Sequence, residues 1–297
     1  SALLMCFVPA SFEILGLMIL APIFLHLDLL NAAILGTVLA AVSPAVVVPL
    51  MLRLMDEGYG TKEGIPQLIM AGASMDDVYV IVLFTSLLTL AKSGEFNALS
   101  LLRIPTSILF GIVSGIVLGY VLCKLYRLLK LPTEIELASM FAIGMVLIAI
   151  ERIMTGMVGF SGLLAIMALT ATIRHIKPEM ADKYSAVLAK LWQPAEIFLF
   201  ALVGASVRID YALSFGPVVL VVIILALIFR ILGVYLSIMK TKFNMKERIF
   251  TMGAYLPKAT VQAAIGGLAL EAGLASGELI LTAAVTAILF TAPLGAI

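Results

Sequence analysis

Charge is what this sequence lacks most. Only 12% of its 297 residues are Asp, Glu, Lys or Arg, while 63% are hydrophobic and the mean hydropathy is +1.18. A soluble domain is about a quarter charged and about half apolar, so a soluble fold is excluded. Apolar runs recur along the whole length, which also excludes a soluble protein with a single anchor. Cysteine is scarce as well. Cys6 and Cys123 are the only two, and their apolar surroundings suggest small core residues rather than a disulfide framework. A net charge of +1 gives no reason to expect nucleic acid or another polyanion as partner. The two histidines, His26 and His175, read as solvated loop residues rather than metal ligands. Period-2 alternation is absent, and lipid admits only helices and closed barrels, so every strong segment reads as helix. The chain opens at Ser1 inside an apolar helix, with no initiator methionine or signal-type leader, and residues are expected upstream.

What is present in quantity is spanning helix, which needs ~20 mostly apolar residues. Ten segments qualify: 1–25, 31–51, 64–91, 104–123, 135–151, 159–173, 193–207, 212–239, 249–271 and 278–297. Lysine and arginine placement tests the count. With ten crossings, thirteen basic residues fall in the loops of one side (Arg53, Lys62; Lys124, Arg127, Lys130; Arg174, Lys177, Lys183, Lys190; Lys240, Lys242, Lys246, Arg248) and four on the other (Lys92, Arg103, Arg152, Arg208). That asymmetry follows the positive-inside rule and places both chain ends in the cytoplasm.

Two basic residues are left over, Arg230 and Lys258, inside the eighth and ninth segments. Glu13, Asp76 and Asp77 lie equally deep. Charges at membrane depth are costly and mark function by default. The first three segments also resemble the last three. The first carries Glu13, the second is broken at Ser43-Pro44, and the third carries the aspartates. The eighth carries Arg230 and the ninth is broken at Pro257-Lys258. Glu13 and Ser43 lie 30 residues apart, Arg230 and Pro257 lie 27 apart, and the two triplets enter the membrane from opposite sides. Interrupted helices in corresponding places of inverted halves point to a transporter site at the midplane.

The chemistry follows from these residues. Asp76 and Asp77 sit ~100° apart on their helix, so one can face a cavity while the other lines its wall. Close carboxylates titrate as a coupled pair, and a carboxylate also suits a hard cation such as Na⁺ or Li⁺. Proton and cation then compete for one site. Pro44 and Pro257 free carbonyls a turn earlier, and Lys258 is placed to neutralise such carbonyl ends. Ser43, Ser74, Thr260 and Gln262 offer polar lining. Glu13 is the natural partner for Arg230, either as a structural ion pair or with a direct role in transport. An arginine keeps its proton, so Arg230 cannot serve as a second proton carrier. Glu196, after Gln193-Pro194, reads as a first-turn helix acid.

The runs Ser43-Pro44-Ala45-Val46-Val47-Val48-Pro49, Ser74-Met75-Asp76-Asp77 and Leu256-Pro257-Lys258-Ala259-Thr260-Val261-Gln262-Ala263-Ala264-Ile265-Gly266 together resemble the cation:proton antiporter superfamily. They are most similar to its NHA-type sodium/proton antiporters, bacterial or animal. The resemblance runs along the whole chain and implies an all-α polytopic membrane protein of NhaA-like fold, with inverted repeats and two crossed discontinuous helices. It implies an ion-binding core from 1–91 and 208–297, with 92–207 as linker and dimerisation side. Asp77 would be the principal carrier with Asp76 beside it, and the core would move like an elevator within a homodimer. Family size implies three or four further helices upstream.

Two departures from the NhaA type are present: Arg230 stands where a lysine is usual, and the second segment carries no carboxylate near its break. Together they point to electroneutral exchange of one Na⁺ or Li⁺ for one proton, serving pH homeostasis without a cofactor, in the inner membrane of a bacterium. The alternatives are a sodium-coupled organic-anion symporter on a similar fold and an intramembrane aspartyl protease. The protease would need aspartates on two facing helices and a Gly-x-Gly-Asp motif, which the sequence does not contain.

Overall fold

The computed structural model describes residues 2–93, 98–129, 131–154, 160–206 and 208–295; some side chains within these stretches, Ser74, Arg103, Arg152 and Glu196 among them, lie outside the description, as does Lys130. Every regular element among the described residues is an α-helix. In chain order they are α1 Ala2–Met5, α2 Val8–Leu25, α3 Leu29–Ala40, α4 Pro44–Asp56, α5 Ile65–Ser93, α6 Ala98–Leu129 and α7 Thr133–Met154, then α8 Gly162–Ile176, α9 Pro178–Ser206, α10 Ile209–Ile238, α11 Met245–Ala254, α12 Thr260–Gly266, α13 Leu268–Glu271 and α14 Gly277–Gly295. Residues 1–92 and 198–297 form one compact unit, and 93–197 form a second.

In the first unit, α2 lies between α3 and α10. Its turn into α3 is tight. His26 ends α2 in the left-handed region at φ 54°, and Asp28 then caps α3 by accepting the N–H groups of Leu30 and Asn31 at 3.2 Å each. A further bond from Ser276 Oγ to Asn31 Oδ1, 2.6 Å, ties this turn to the one before α14. The core between these helices is aliphatic and small: Leu17, Ile34, Leu35, Leu39, Ile223, Ala226, Ile280, Ala283 and Ala284 are all buried. Small residues let helices approach closely in lipid, where no hydrophobic force drives them together. A side chain at Gly36 would press on the Ile14 backbone at 3.2 Å, and one at Gly233 would meet Pro9 Cα at 2.8 Å and Val8 O at 3.0 Å.

Two helices of this unit are interrupted. Between α3 and α4 the chain runs extended through Ala41 to Ser43, because the residue before a proline is pushed out of the α region and Pro44 then opens α4 at its first position. The second interruption runs from Tyr255 to Ala259 between α11 and α12. The two breaks touch, with Ser43 N–H donating to Pro257 C=O at 2.8 Å. Two discontinuous helices therefore cross at their unwound stretches. The capping box of Asn244 and Glu247 starts α11 firmly.

In the second unit, Gly111, Gly115 and Gly119 form one stripe of α6. Added side chains there would strike Ser161 O at 2.7 Å, the backbone of Ala165, and Thr172 Cβ at 2.7 Å, all on or beside α8. At one end, Tyr184 of α9 donates to Glu136 Oε2 at 2.6 Å, and Tyr126 of α6 donates to the Glu136 carbonyl at 3.1 Å.

Several boundaries differ from the sequence reading. The segment expected at 193–207 is the second half of the 29-residue α9, so Lys183 and Lys190 lie on a helix rather than in a loop. At 1.5 Å per residue that helix is roughly 43 Å long, which exceeds a ~30 Å hydrocarbon core and carries its basic start beyond it. His175 likewise sits in the last turn of α8, not in a loop. The segment 249–271 resolves into α11, α12 and α13. Among the described residues, seven helices are long and apolar enough to cross a membrane, and Leu164–Ile176 and Gly277–Pro293 are shorter apolar helices.

One outcome follows for α10. Gly233 faces backbone, so Gly233→Ala should lower stability by about 1–3 kcal/mol through overpacking. Thermal unfolding in detergent is the check, and a midpoint at or above the parent's would overturn it.

Candidate functional site

The break in each interrupted helix leaves carbonyls at the C-terminus of a half-helix with no partner and a partial negative charge. Both sets converge on Arg230 of α10. Its guanidinium donates to Ala40 O, the last residue of α3, through Nη1, and to Tyr255 O, just past α11, through Nε. The same group reaches two carboxylates. Nη1 lies 2.9 Å from Glu13 Oε2 and Nη2 lies 3.0 Å from Asp76 Oδ2. The Tyr255 ring lies under the guanidinium, 5.3 Å from its carbon to the ring centroid, and the Tyr255 hydroxyl donates to Met5 O at 3.2 Å. A planar fork with five donors can serve four acceptors at once.

Lys258 completes the cluster. It stands in the second break, its N–H donating to Thr291 Oγ1 at 2.9 Å, and its ammonium sits 2.8 Å from Glu13 Oε1 and 3.0 Å from Oε2. Lys258, expected to neutralise carbonyl ends, therefore sits on a carboxylate, and Arg230 takes the carbonyls. The geometry explains the exchange: an ammonium is a point charge, whereas the guanidinium fork matches two diverging carbonyls. Glu13, Asp76, Arg230 and Lys258 are each at most 1% exposed.

The adjacent aspartates are separated by this arrangement. Asp76 is buried, and its Oδ2 accepts both Arg230 and the Val42 N–H at 3.0 Å in the first break. Asp77, about 100° around α5, is only partly buried and joins no ion pair among the described residues. Three buried side-chain oxygens among the described residues have no hydrogen-bond partner: Asp76 Oδ1, Asp77 Oδ1 and Gln262 Oε1. Orphaned buried acceptors are rare and ask for an ion, a proton or water.

The remaining expected residues gather at the crossing. Gln262 Nε2 donates to Ala41 O at 2.8 Å, so one peptide unit, 41–42, is held by Gln262 through its carbonyl and by Asp76 through its N–H. Ser43 Oγ and Thr260 Oγ1 stand 3.5 Å apart, at the outer limit of a hydrogen bond. Pro44 opens α4 and Pro257 supplies the carbonyl that Ser43 N–H uses. The side chain of Ser74 lies outside the described residues. Tyr255 and Thr291 are the participants that sequence reasoning missed. Tyr255 could have been suspected, since it is a polar aromatic two residues before Pro257 inside an apolar segment. Thr291 carries a weaker signal, standing two residues before Pro293, since a threonine is unremarkable in a segment that also holds Thr282 and Thr286.

Comparison with known proteins shows the family and the fold. The family model described as "Sodium/hydrogen exchanger, transmembrane" matches residues 1–297. The chain is 35% identical over 281 residues to sodium/hydrogen exchanger 9B2 of Pongo abelii, covering 89% of this chain and 51% of that protein. It is 37% identical over 279 residues to sodium/hydrogen exchanger 9B1 of Homo sapiens, covering 90% and 53%. The chain thus spans about half the length of the curated relatives it matches. The fold is similar to that of the sodium proton antiporter MjNhaP1 from Methanocaldococcus jannaschii at pH 8, with a TM-score of 0.83 over 99% of this chain and 76% of that one, at 19% identity. A buried charge cluster at two crossed helix breaks, on a polytopic helical fold of this kind and with a family match along its whole length, makes this chain a member of the transmembrane sodium/hydrogen exchanger family.

Proposed function

We propose that this chain carries the exchange site of a secondary antiporter that trades one Na⁺ or Li⁺ for one proton at Asp77. One observation carries the reading. The buried network holds two cations, Arg230 and Lys258, against two carboxylates, Glu13 and Asp76, joined by contacts of 2.8–3.0 Å. It is neutral by itself. Asp77 stands outside it, so its carboxylate needs one positive charge when desolvated, and a proton or a monovalent cation supplies it equally. The two compete, and that competition couples their fluxes once the site can face either side. Asp76 anchors the site while keeping Oδ1 for the bound ion. The names of the relatives and of the structural neighbour, sodium/hydrogen exchangers and a sodium proton antiporter, point the same way.

Residues 1–91 and 208–297, which fall within the compact unit of residues 1–92 and 198–297, are then the ion-binding core, built from inverted halves. Residues 92–207 belong to the linker and dimerisation side of a homodimer, against which the core moves as an elevator. Ten crossings with both ends cytoplasmic remain the reading that the basic residues favour. Transport needs no cofactor beyond the ions carried, and pH homeostasis is the physiological setting this chemistry fits. The relatives reported above are vertebrate proteins and lend no support to a bacterial inner membrane.

Three outcomes test the reading. In proteoliposomes, Asp77→Asn should abolish proton flux driven by a Na⁺ or Li⁺ gradient; exchange at the parent rate would remove Asp77 from the role. Because one charge replaces one charge, parent exchange should carry no current and should not respond to an imposed voltage, and a transport current on a supported membrane would refute the stoichiometry. Among the described residues, Glu13→Ala removes the one carboxylate that Lys258 contacts and one of the two at Arg230, and breaking a buried pair costs about 3–5 kcal/mol. It should therefore lower the thermal midpoint far more than it changes the apparent cation affinity of the protein that remains folded.

A further inference from the structure

We propose that the turn between α10 and α11 is a binding surface for the headgroup of an anionic phospholipid. Lys240, Lys242 and Lys246 stand exposed within seven residues, and none makes an ion pair or side-chain hydrogen bond among the described residues. The other charged groups of the turn are already engaged. Glu247 closes the capping box by accepting the Asn244 N–H at 2.8 Å. Arg248 turns inward, donating through Nε to Phe243 O at 3.0 Å and through Nη2 to Met239 O and Thr241 O at 3.3 Å each. Its guanidinium also stacks over Tyr235, 5.9 Å from the ring centroid. The fixed cation thus holds the turn, while the three free ones face outward.

The turn is therefore preorganised. Thr241 N–H and Oγ1 both bond Ile238 O, at 2.9 and 2.6 Å, and Phe243 is buried in the core with Val234 and Ile238. The conformational entropy that a flexible basic loop would lose on binding is already spent in folding. On either flank the surface is apolar: Leu236, Met239, Met245, Ile249 and Phe250 are exposed large side chains. A patch of three unpartnered cations bordered by exposed hydrophobics matches a group that joins a negative head to acyl chains, whereas a soluble anion would use only the cations. Lysines near an anionic membrane surface each contribute about 1 kcal/mol, about fivefold in affinity. The turn leads through α11 to Tyr255, whose carbonyl caps Arg230, so lipid held here would steady the second broken helix at its entry.

The test uses a single tryptophan. The sequence has one, Trp192, so the full chain carrying Trp192→Phe and Phe250→Trp places the reporter beside the turn. Vesicles of phosphatidylcholine with brominated phosphatidylglycerol should quench it at lower mole fraction than vesicles with brominated phosphatidylcholine. Lys→Gln at 240, 242 and 246 should raise the half-quenching fraction about fivefold each, and Lys→Arg at all three should retain the preference. Equal quenching by the two lipids, or a preference that survives the triple glutamine variant, would overturn the proposal. So would loss of the preference in millimolar inorganic phosphate, which would make a free anion the occupant. The readout does not depend on transport, so it stands or falls separately from the role of Asp77.

Discussion

A buried guanidinium is the constraint on which the core unit depends. Placing Arg230 in the interior without water is tolerable only if each of its donors meets an acceptor and its charge is compensated. Four acceptors must therefore arrive from four separate parts of the chain: Glu13 on α2, Ala40 at the end of α3, Asp76 on α5 and Tyr255 after α11. Each requirement explains a feature that is otherwise odd. Helices α3 and α11 must stop inside the apolar region so that their carbonyl ends are free, and Pro44 and Pro257 stand beyond those stops. Helix α2 must approach closely enough for Glu13 to reach, and Gly233, one turn from Arg230, removes the Cβ that would hold it off. The breaks and the arginine are thus one device, since neither the free carbonyls nor the cation is tolerable in lipid alone.

From this device the different fates of the two aspartates follow. Successive residues on a helix cannot face the same point. If Asp76 faces Arg230, Asp77 must face elsewhere, and nothing cationic among the described residues meets it. Lys258, which might have been its partner by charge alone, is drawn to Glu13 by two contacts. Glu13 thereby balances both cations together with Asp76, and the one deep carboxylate left over is the one free to exchange its counterion.

The sequence made some of this legible, for definite physical reasons. Charges in apolar runs are conspicuous, so all four members of the cluster and Asp77 could be named. Proline inside a spanning segment announces an interruption, so both breaks could be placed to within a few residues. Pairing of Glu13 with Arg230 followed from their matching places in two similar triplets. What could not be read was which polar group meets which across the crossing, because that depends on how four helices converge. Lys258 was therefore assigned to carbonyls it does not touch, and Thr291 escaped notice. Helix ends were misplaced for a related reason: hydropathy reports where lipid begins, while a helix such as α9 continues past that limit as long as its backbone bonds are satisfied internally.

The fold match at 19% identity is what this physics leads one to expect. Exposed positions such as Leu128, Phe198 and Ile209 need only be apolar, and many side chains satisfy that. Positions that decide the architecture are fewer and of three kinds: small residues where helices touch, prolines that end half-helices, and charges that must be compensated at depth. A chain that keeps those can change most of its remaining surface and still reach the same fold. The turn from α10 to α11 falls outside all three kinds. Its lysines contribute nothing to packing, end no helix and lie outside the buried network, yet Arg248 and the Asn244–Glu247 box hold their backbone in one conformation. The positive-inside rule accounts for their number on that side; what the held backbone adds is a fixed spacing between them, which an anionic headgroup at the membrane surface would use.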